Sequence, residues 1–282
     1  MVETGENGRA LPLPREVALG TMHGKEAVLA PPLAELGIGL RVADIDTDRF
    51  GTFTAETPRA GDMLQAARAK ARAAIAATGL PVGMASEGAY GPHPAVPFVA
   101  LGRELLLWHD ARNGQELVEW ATDRAPRHDH HEVADLTEAA GFLSRVGFPQ
   151  TAVIVAPGAA LPPVAKGLRD AAGLERAVAE AVRVAGRAFL QTDMRAHMNP
   201  RRMEVIGRLA EAFARRLATP CGGCGAPGFG LIRSAPGLPC RDCGTPTGEI
   251  GDDICGCSLC GVETVRPRAA LADPAHCPIC NP

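Results

Sequence analysis

Eight cysteines in four Cys-x-x-Cys knuckles carry the plainest chemistry in this chain: Cys221/Cys224, Cys240/Cys243, Cys257/Cys260 and Cys277/Cys280. Each knuckle offers two thiolates from one tight turn, and two knuckles complete a tetrahedral shell, the donor set of a structural zinc site. Taken in chain order, the first two knuckles form one zinc ribbon and the last two a second, for two Zn2+ ions. Cys255 is left over and competes with Cys257, and interleaving of the knuckles is a further alternative. Four thiolates leave no open coordination position, so these ions are expected to be structural. Such ribbons dock onto protein or nucleic acid, or simply cap a fold.

All nine cysteines lie at or beyond position 221, and the opening MVETGENGRALPLPREV lacks the basic start and apolar core of a signal peptide. No apolar run is long enough to span a bilayer. A cytoplasmic protein with no membrane partner is the expectation. A net charge of -3 gives no whole-chain argument for nucleic acid, and 46% hydrophobic against 22% charged residues excludes a disordered chain. The cysteine boundary divides the chain into a flexible leader (1–14), an α/β domain (15–218) and a double zinc-ribbon module (219–282). The middle domain is open to division into lobes near 15–125 and 126–218.

A second set of residues suits an anionic ligand. Thr21, His23 and Lys25 lie between a strand and a helix in TMHGKE, where free backbone N–H groups and a lysine suit phosphate. Helix capping with a solvated lysine is the competing reading. Lys70 faces either the same phosphate or solvent. Glu87 in SEGAYGPHP suits a divalent cation or a general base, against the plainer role of accepting backbone N–H bonds in a turn. Glu56 in FTAET suits a phosphate-bound metal. Asp193 and Arg195 in QTDMRAHMNP suit a metal or an anion, or else pair with one another and hold their loop.

The elements that position these residues alternate. Glu16–Thr21 reads as a buried strand, Lys25–Leu36 as a helix containing Pro31 and Pro32, and Leu40–Ala43 as a second strand. Met63, Leu64, Ala67, Ala71, Ala74 and Ile75 form one face of a helix over Gly61–Thr78, stopped by Gly79 and Pro81. Val82–Ala85 is a strand that exits into a SEGAYGPHP turn, and Pro97–Leu101 and Glu104–His109 form a hairpin across Gly102-Arg103. A helix over Val133–Val146, a strand over Thr151–Val155 and a helix over Leu174–Val184 follow. Phe189 and Leu190 then lead to a helix opened by Asn199-Pro200. Lys166 and Gly167 fall in a loop, and the histidine-rich run Arg127–Glu132 reads as a surface loop or a metal tract. The expected class is α/β, a mixed sheet flanked by helices in one continuous sheet or two lobes, plus the small cysteine-rich module.

TMHGKE, DTDRFGTFT, ASEGAYGPHP, TDMRAHMNPRRM and the terminal ribbons together resemble an uncharacterised bacterial family, a domain of unknown function, from Glu16 onward. As far as Asp110 the chain is also distantly similar to the inosine/xanthosine triphosphate pyrophosphatases and Maf-like proteins. These share a hydroxyl-x-Asn-x-x-Lys loop, an acid before a KA-containing helix and an acidic glycine turn. That resemblance implies Thr21 and Lys25 on phosphate, Glu56 on a divalent metal such as Mg2+, Lys70 facing the phosphates and Glu87 as the turn acid. His23 stands where the loop has Asn, and Ser86-Glu87 where the turn has two acids. The expected function is a metal-assisted phosphohydrolase of the nucleoside triphosphate pyrophosphatase kind, acting on a nucleotide-like or other phosphorylated substrate. Glu87, Asp193 and Arg195 are its candidate catalytic residues. The alternative is a non-enzymatic nucleotide- or anion-binding protein whose ribbons dock onto protein or nucleic acid.

Overall fold

The structure, a computed structural model, describes residues 10–47, 50, 61–93 and 96–282. Asp48, Phe53 and Glu56 lie outside the described residues. The chain divides into two units: Arg15–His109 with Val118–Ala212, and residues 10–14 with Asp110–Leu117 and Phe213–Pro282.

In the larger unit β1 (Glu16–Gly20) runs parallel to both its neighbours, β2 (Gly39–Val42) and β3 (Val82–His93). With β4 (Val96–Asp110) and β5 (Gln115–Asp123) the sheet order is β2-β1-β3-β4-β5. α1 (Glu26–Ala34) leads from β1 to β2, and α2 (Met63–Thr78) from β2 to β3. α2 begins in a capping box, in which Asp62 accepts the Gln65 N–H at 2.8 Å and the Gln65 side chain accepts the Asp62 N–H at 3.0 Å. It ends at Gly79, whose left-handed φ of 72° suits glycine.

The alanine face of α2 meets glycines in the strands beneath. A Cβ on Gly20 would lie 2.9 Å from the Lys70 carbonyl oxygen, and one on Gly83 would lie 2.4 Å from that of Ala71. Helix backbone therefore rests almost directly on strand backbone, and neither partner can yield as a flexible side chain would. Gly83→Ala is expected to lower stability by about 1–3 kcal/mol. An unchanged urea midpoint would show that α2 does not lie so close.

The same unit holds a second, antiparallel sheet in the order β6-β9-β7-β8, built from β6 (His130–Val133), β7 (Val153–Ala156), β8 (Ala165–Leu168) and β9 (Ala188–Thr192). α3 (Ala140–Val146) and α4 (Ala171–Ala185) bury Phe142, Val146, Leu174 and Val178 against Val153, Val155 and Leu190. Two sheets form instead of one continuous sheet.

Several local expectations change. SEGAYGPH (86–93) is not a turn but the outer part of β3, and Gly102-Arg103 lies inside β4. Gly102 serves packing: a Cβ there would strike the Tyr90 ring at 2.4 Å. The run from His130 to Glu132 pairs with β9 as strand, the third helix starts only at Ala140, and Lys166-Gly167 belongs to β8.

In the smaller unit β10 (Gly230–Pro236), β11 (Ile250–Gly256) and β12 (Glu263–Pro267) form a three-stranded antiparallel sheet. α5 (Pro200–Leu217) begins in the larger unit and ends in this one. No described helix is long and apolar enough to cross a membrane.

Candidate functional site

The eight knuckle cysteines gather into two groups, Cys221/Cys224/Cys257/Cys260 and Cys240/Cys243/Cys277/Cys280. Across knuckles the sulfurs lie 3.7 Å apart in both pairs of the first group, and 3.9 and 3.6 Å apart in the second. Four sulfurs about 2.3 Å from a central zinc ion span edges of about 3.8 Å, so both groups have the dimensions of a tetrahedral zinc shell. Disulfides would need sulfurs about 2 Å apart. The Gly223 and Ile279 N–H groups each donate to a ligand sulfur at 3.4 Å. Three knuckles close on a glycine of positive φ, Gly225, Gly244 and Gly261, whose N–H reaches the carbonyl four residues back; Asn281 makes that bond in the fourth.

This grouping corrects the sequential pairing of knuckles: the first joins the third and the second joins the fourth. The sheet dictates it. Antiparallel pairing sets Gly230 at the start of β10 beside Gly256 at the end of β11, which brings together the knuckles preceding β10 and following β11. The other two meet at the opposite end, where Pro236 faces Ile250 and Pro267 faces Asp252. Cys255 joins neither group; it is buried within β11, opposite Leu231 and Thr264.

In the larger unit Thr21, His23 and Lys25 follow directly on the end of a parallel strand. β1 last pairs with β3 at Gly20 and Ala85, and its onward connection goes to β2 while β3 continues toward β4, so the carboxyl ends of β1 and β3 flank a topological switch point. Beyond that pair Lys25 reaches across, its Nζ donating to the Ser86 carbonyl and to Ser86 Oγ, both at 3.1 Å. Thr21 is buried, and its hydroxyl accepts the His23 N–H at 3.4 Å.

Strand alternation distributes the remaining residues. Gly83, Ala85 and Glu87 face α2, and Glu87 forms an ion pair with Lys70 there. Ser86, Gly88 and Tyr90 face the other way. On that side Arg202 Nε donates to Glu104 at 2.5 Å, Tyr90 donates to the same carboxylate oxygen at 2.7 Å, and Arg202 also donates to the Met194 carbonyl. A Cβ on Gly88 would lie 2.4 Å from Arg202 and 2.7 Å from Glu104, so the glycine makes room for the pair. The predicted set is thus divided by the sheet: Lys70 and Glu87 on one face, Lys25 on the other.

Burial, followed by the positive charge of Arg202, lowers the Lys25 pKa from 10.5 to about 7; Glu104 and Glu87 oppose the shift and Lys70 adds to it. Burial, reinforced by Glu104, raises the Tyr90 phenol well above its ordinary value. Asp193 is fully buried and bonds Arg195 through its backbone N–H at 3.0 Å and its guanidinium at 2.6 Å, so this pair holds its own loop. Arg201 grips Asp123 of β5 at 2.8 and 3.1 Å.

Glu104, Arg202 and Tyr90 were not among the expected site residues. The signal was present, since Glu104 is the single acid in LGRELLLW. Arg202 shares the helical spacing of buried Ile206, Leu209 and Phe213, an apolar stripe on which a charge requires a buried partner.

No curated protein and no solved structure matches the chain. A family defined as a domain of unknown function (DUF6671) matches residues 70–282, a span that takes in Glu87, Glu104, Arg202 and all eight knuckle cysteines but begins after Lys25. The chain belongs to that family.

Proposed function

We propose that the face of the sheet carrying Lys25 and Arg202 binds the phosphate of a nucleotide-like or other phosphorylated small molecule. One observation carries this reading. Two buried cations lie on that face: Glu104 bonds Arg202, whereas the bonds of Lys25 go to the neutral Ser86, and Lys70 and Glu87 form an ion pair on the opposite face. A buried cation without its own counter-charge is costly, and the structure answers by pulling Lys25 toward the neutral amine. A bound phosphate supplies the missing charge and restores the proton.

The test is calorimetric titration of inorganic phosphate at pH 8 in buffers of different ionisation heat. Binding with uptake of about one proton is expected. Lys25→Met is expected to lose both the binding and the uptake; retention of both would overturn the reading. The same lysine sets a pH dependence without ligand. Its folded pKa lies below its ordinary 10.5, so from about pH 7 to 10.5 the unfolded chain holds a proton that the folded chain has released. Stability should therefore rise with pH across this window in the wild type and stay flatter in Lys25→Met.

Metal-assisted hydrolysis is a second reading, in which the phosphate lies instead on the opposite face, where Lys70 and Glu87 meet. Mg2+ bound with a substrate phosphate commonly takes only one or two protein carboxylates. Glu87, now engaged by Lys70, is the described carboxylate at that position, and among the described residues the groups of three or more ligands are the two cysteine sets. Hydrolysis of nucleoside triphosphates with Mg2+ that persisted in full in Glu87→Gln would remove Glu87 from it.

For the cysteine module we propose Zn2+ in both groups, a reducing cytoplasmic setting that keeps the thiolates available, and docking onto protein. Acidic residues outnumber arginines six to four over 219–282, and each zinc tetrathiolate adds negative charge, which disfavours nucleic acid.

A further inference from the structure

Beside the Lys25 face, the loop joining β9 to α5 lies against the loop joining β1 to α1. The His23 and His197 rings stack with centroids 5.3 Å apart, and a Cβ on Gly24 would touch the His197 Cβ at 3.6 Å. Arg169, just past the end of β8, donates to the His197 carbonyl at 2.7 Å. Arg195 lies across β8, where a Cβ on Gly167 would meet its guanidinium at 3.1 Å; Gly167, with φ 71°, keeps that approach open. Three separate segments thus deliver two guanidiniums and two imidazoles to one place.

We infer that this rim of His23, His197, Arg169 and Arg195 is a second anion subsite, so that the ligand carries two linked phosphates, as a nucleoside di- or triphosphate does. The inference rests on the phosphate-binding reading of the Lys25 face. Spacing is compatible with it: His23 is two residues from Lys25, so their Cα atoms lie at most about 7 Å apart, and the two side chains can reach neighbouring phosphates. Electrostatics support it. Burial, and then Arg195 and Arg169, hold the His197 imidazole below its ordinary pKa, with Asp193 opposing. Asp193 is already bonded to Arg195 at 2.6 Å, so a second phosphate would bring new negative charge to the group. His197 and Arg169 are exposed, so the rim meets solvent while Lys25 lies inside.

The experiment titrates the full chain with inorganic phosphate and with pyrophosphate, without added divalent metal. The wild type should bind pyrophosphate at least about tenfold more tightly than phosphate. Arg169→Ala and His197→Ala, both at exposed positions, should reduce pyrophosphate affinity toward that of phosphate while leaving phosphate affinity unchanged. Equal affinity for the two anions, or a pyrophosphate preference that survives both substitutions, overturns the rim and leaves the Lys25 reading intact. No binding of either anion overturns the Lys25 reading itself, and the rim with it.

Discussion

Stripping the metal from the folded protein with a strong chelator is expected to release two zinc ions per chain and to melt the β10-β11-β12 sheet. The buried aliphatic residues of this module beyond its cysteines are Ala226, Leu238, Ile254 and Ala272, a set too small to hold three strands. Structural zinc contributes about 10–16 kcal/mol in comparable peptides, far above what those side chains supply. Loss of the sheet's circular-dichroism signal in step with zinc release is the expected result. A sheet that persisted without metal would show that the strands stand on their own.

The same measurement discriminates the pairing of knuckles. With the observed groups, the double variant Cys221→Ser/Cys257→Ser damages one site and keeps one zinc, whereas Cys221→Ser/Cys240→Ser damages both. Sequential ribbons would give the reverse. Metal content of the two purified variants decides between them.

The second large effect belongs to Glu104 and Arg202, which are 0% and 1% exposed. Removing either partner leaves a charge buried without its counter-ion, and Arg202→Ala is expected to cost about 3–5 kcal/mol. Arg202→Met should cost nearly as much, because it fills the space and still strands Glu104. Joining it to Glu104→Leu should recover most of the loss, since two hydrophobic residues of similar volume remove both charges of the pair. Urea midpoints of the two singles and the double close the cycle. A single Arg202→Met costing under about 1 kcal/mol would mean that water reaches Glu104. Arg202 also bonds the Met194 carbonyl, so its loss should loosen the loop that carries Asp193 and Arg195.

Where local pattern decides structure, the sequence was legible. The alanine face, the Gly79 stop and the Val82 strand entry predicted α2 and the start of β3 to within a residue or two. The knuckles announced two tetrathiolate sites. Long-range pairing was what the sequence concealed. SEGAYGPHP carries the composition of a turn, yet pairing with β4 draws residues 86–93 into a long strand, and Gly88 and Gly102 are there for side chains that cross from other elements. The partition of Lys25 from Lys70 and Glu87 followed from strand alternation once β3 was known to continue past Ala85. Spacing of knuckles along the chain could not reveal which of them share an ion, because strand direction determines it.

That strand direction also sets an order of events for the newly made chain. The first tetrathiolate set cannot be completed until Cys260 has been synthesised, nor the second until Cys280, and the two closing segments overlap between Cys240 and Cys260. Neither site can be completed independently of the other's strands. Each closes the open end of an antiparallel strand pair, β10-β11 for the first and β11-β12 for the second, and the two pairs share β11, so metal capture and sheet formation become one late, mutually dependent step.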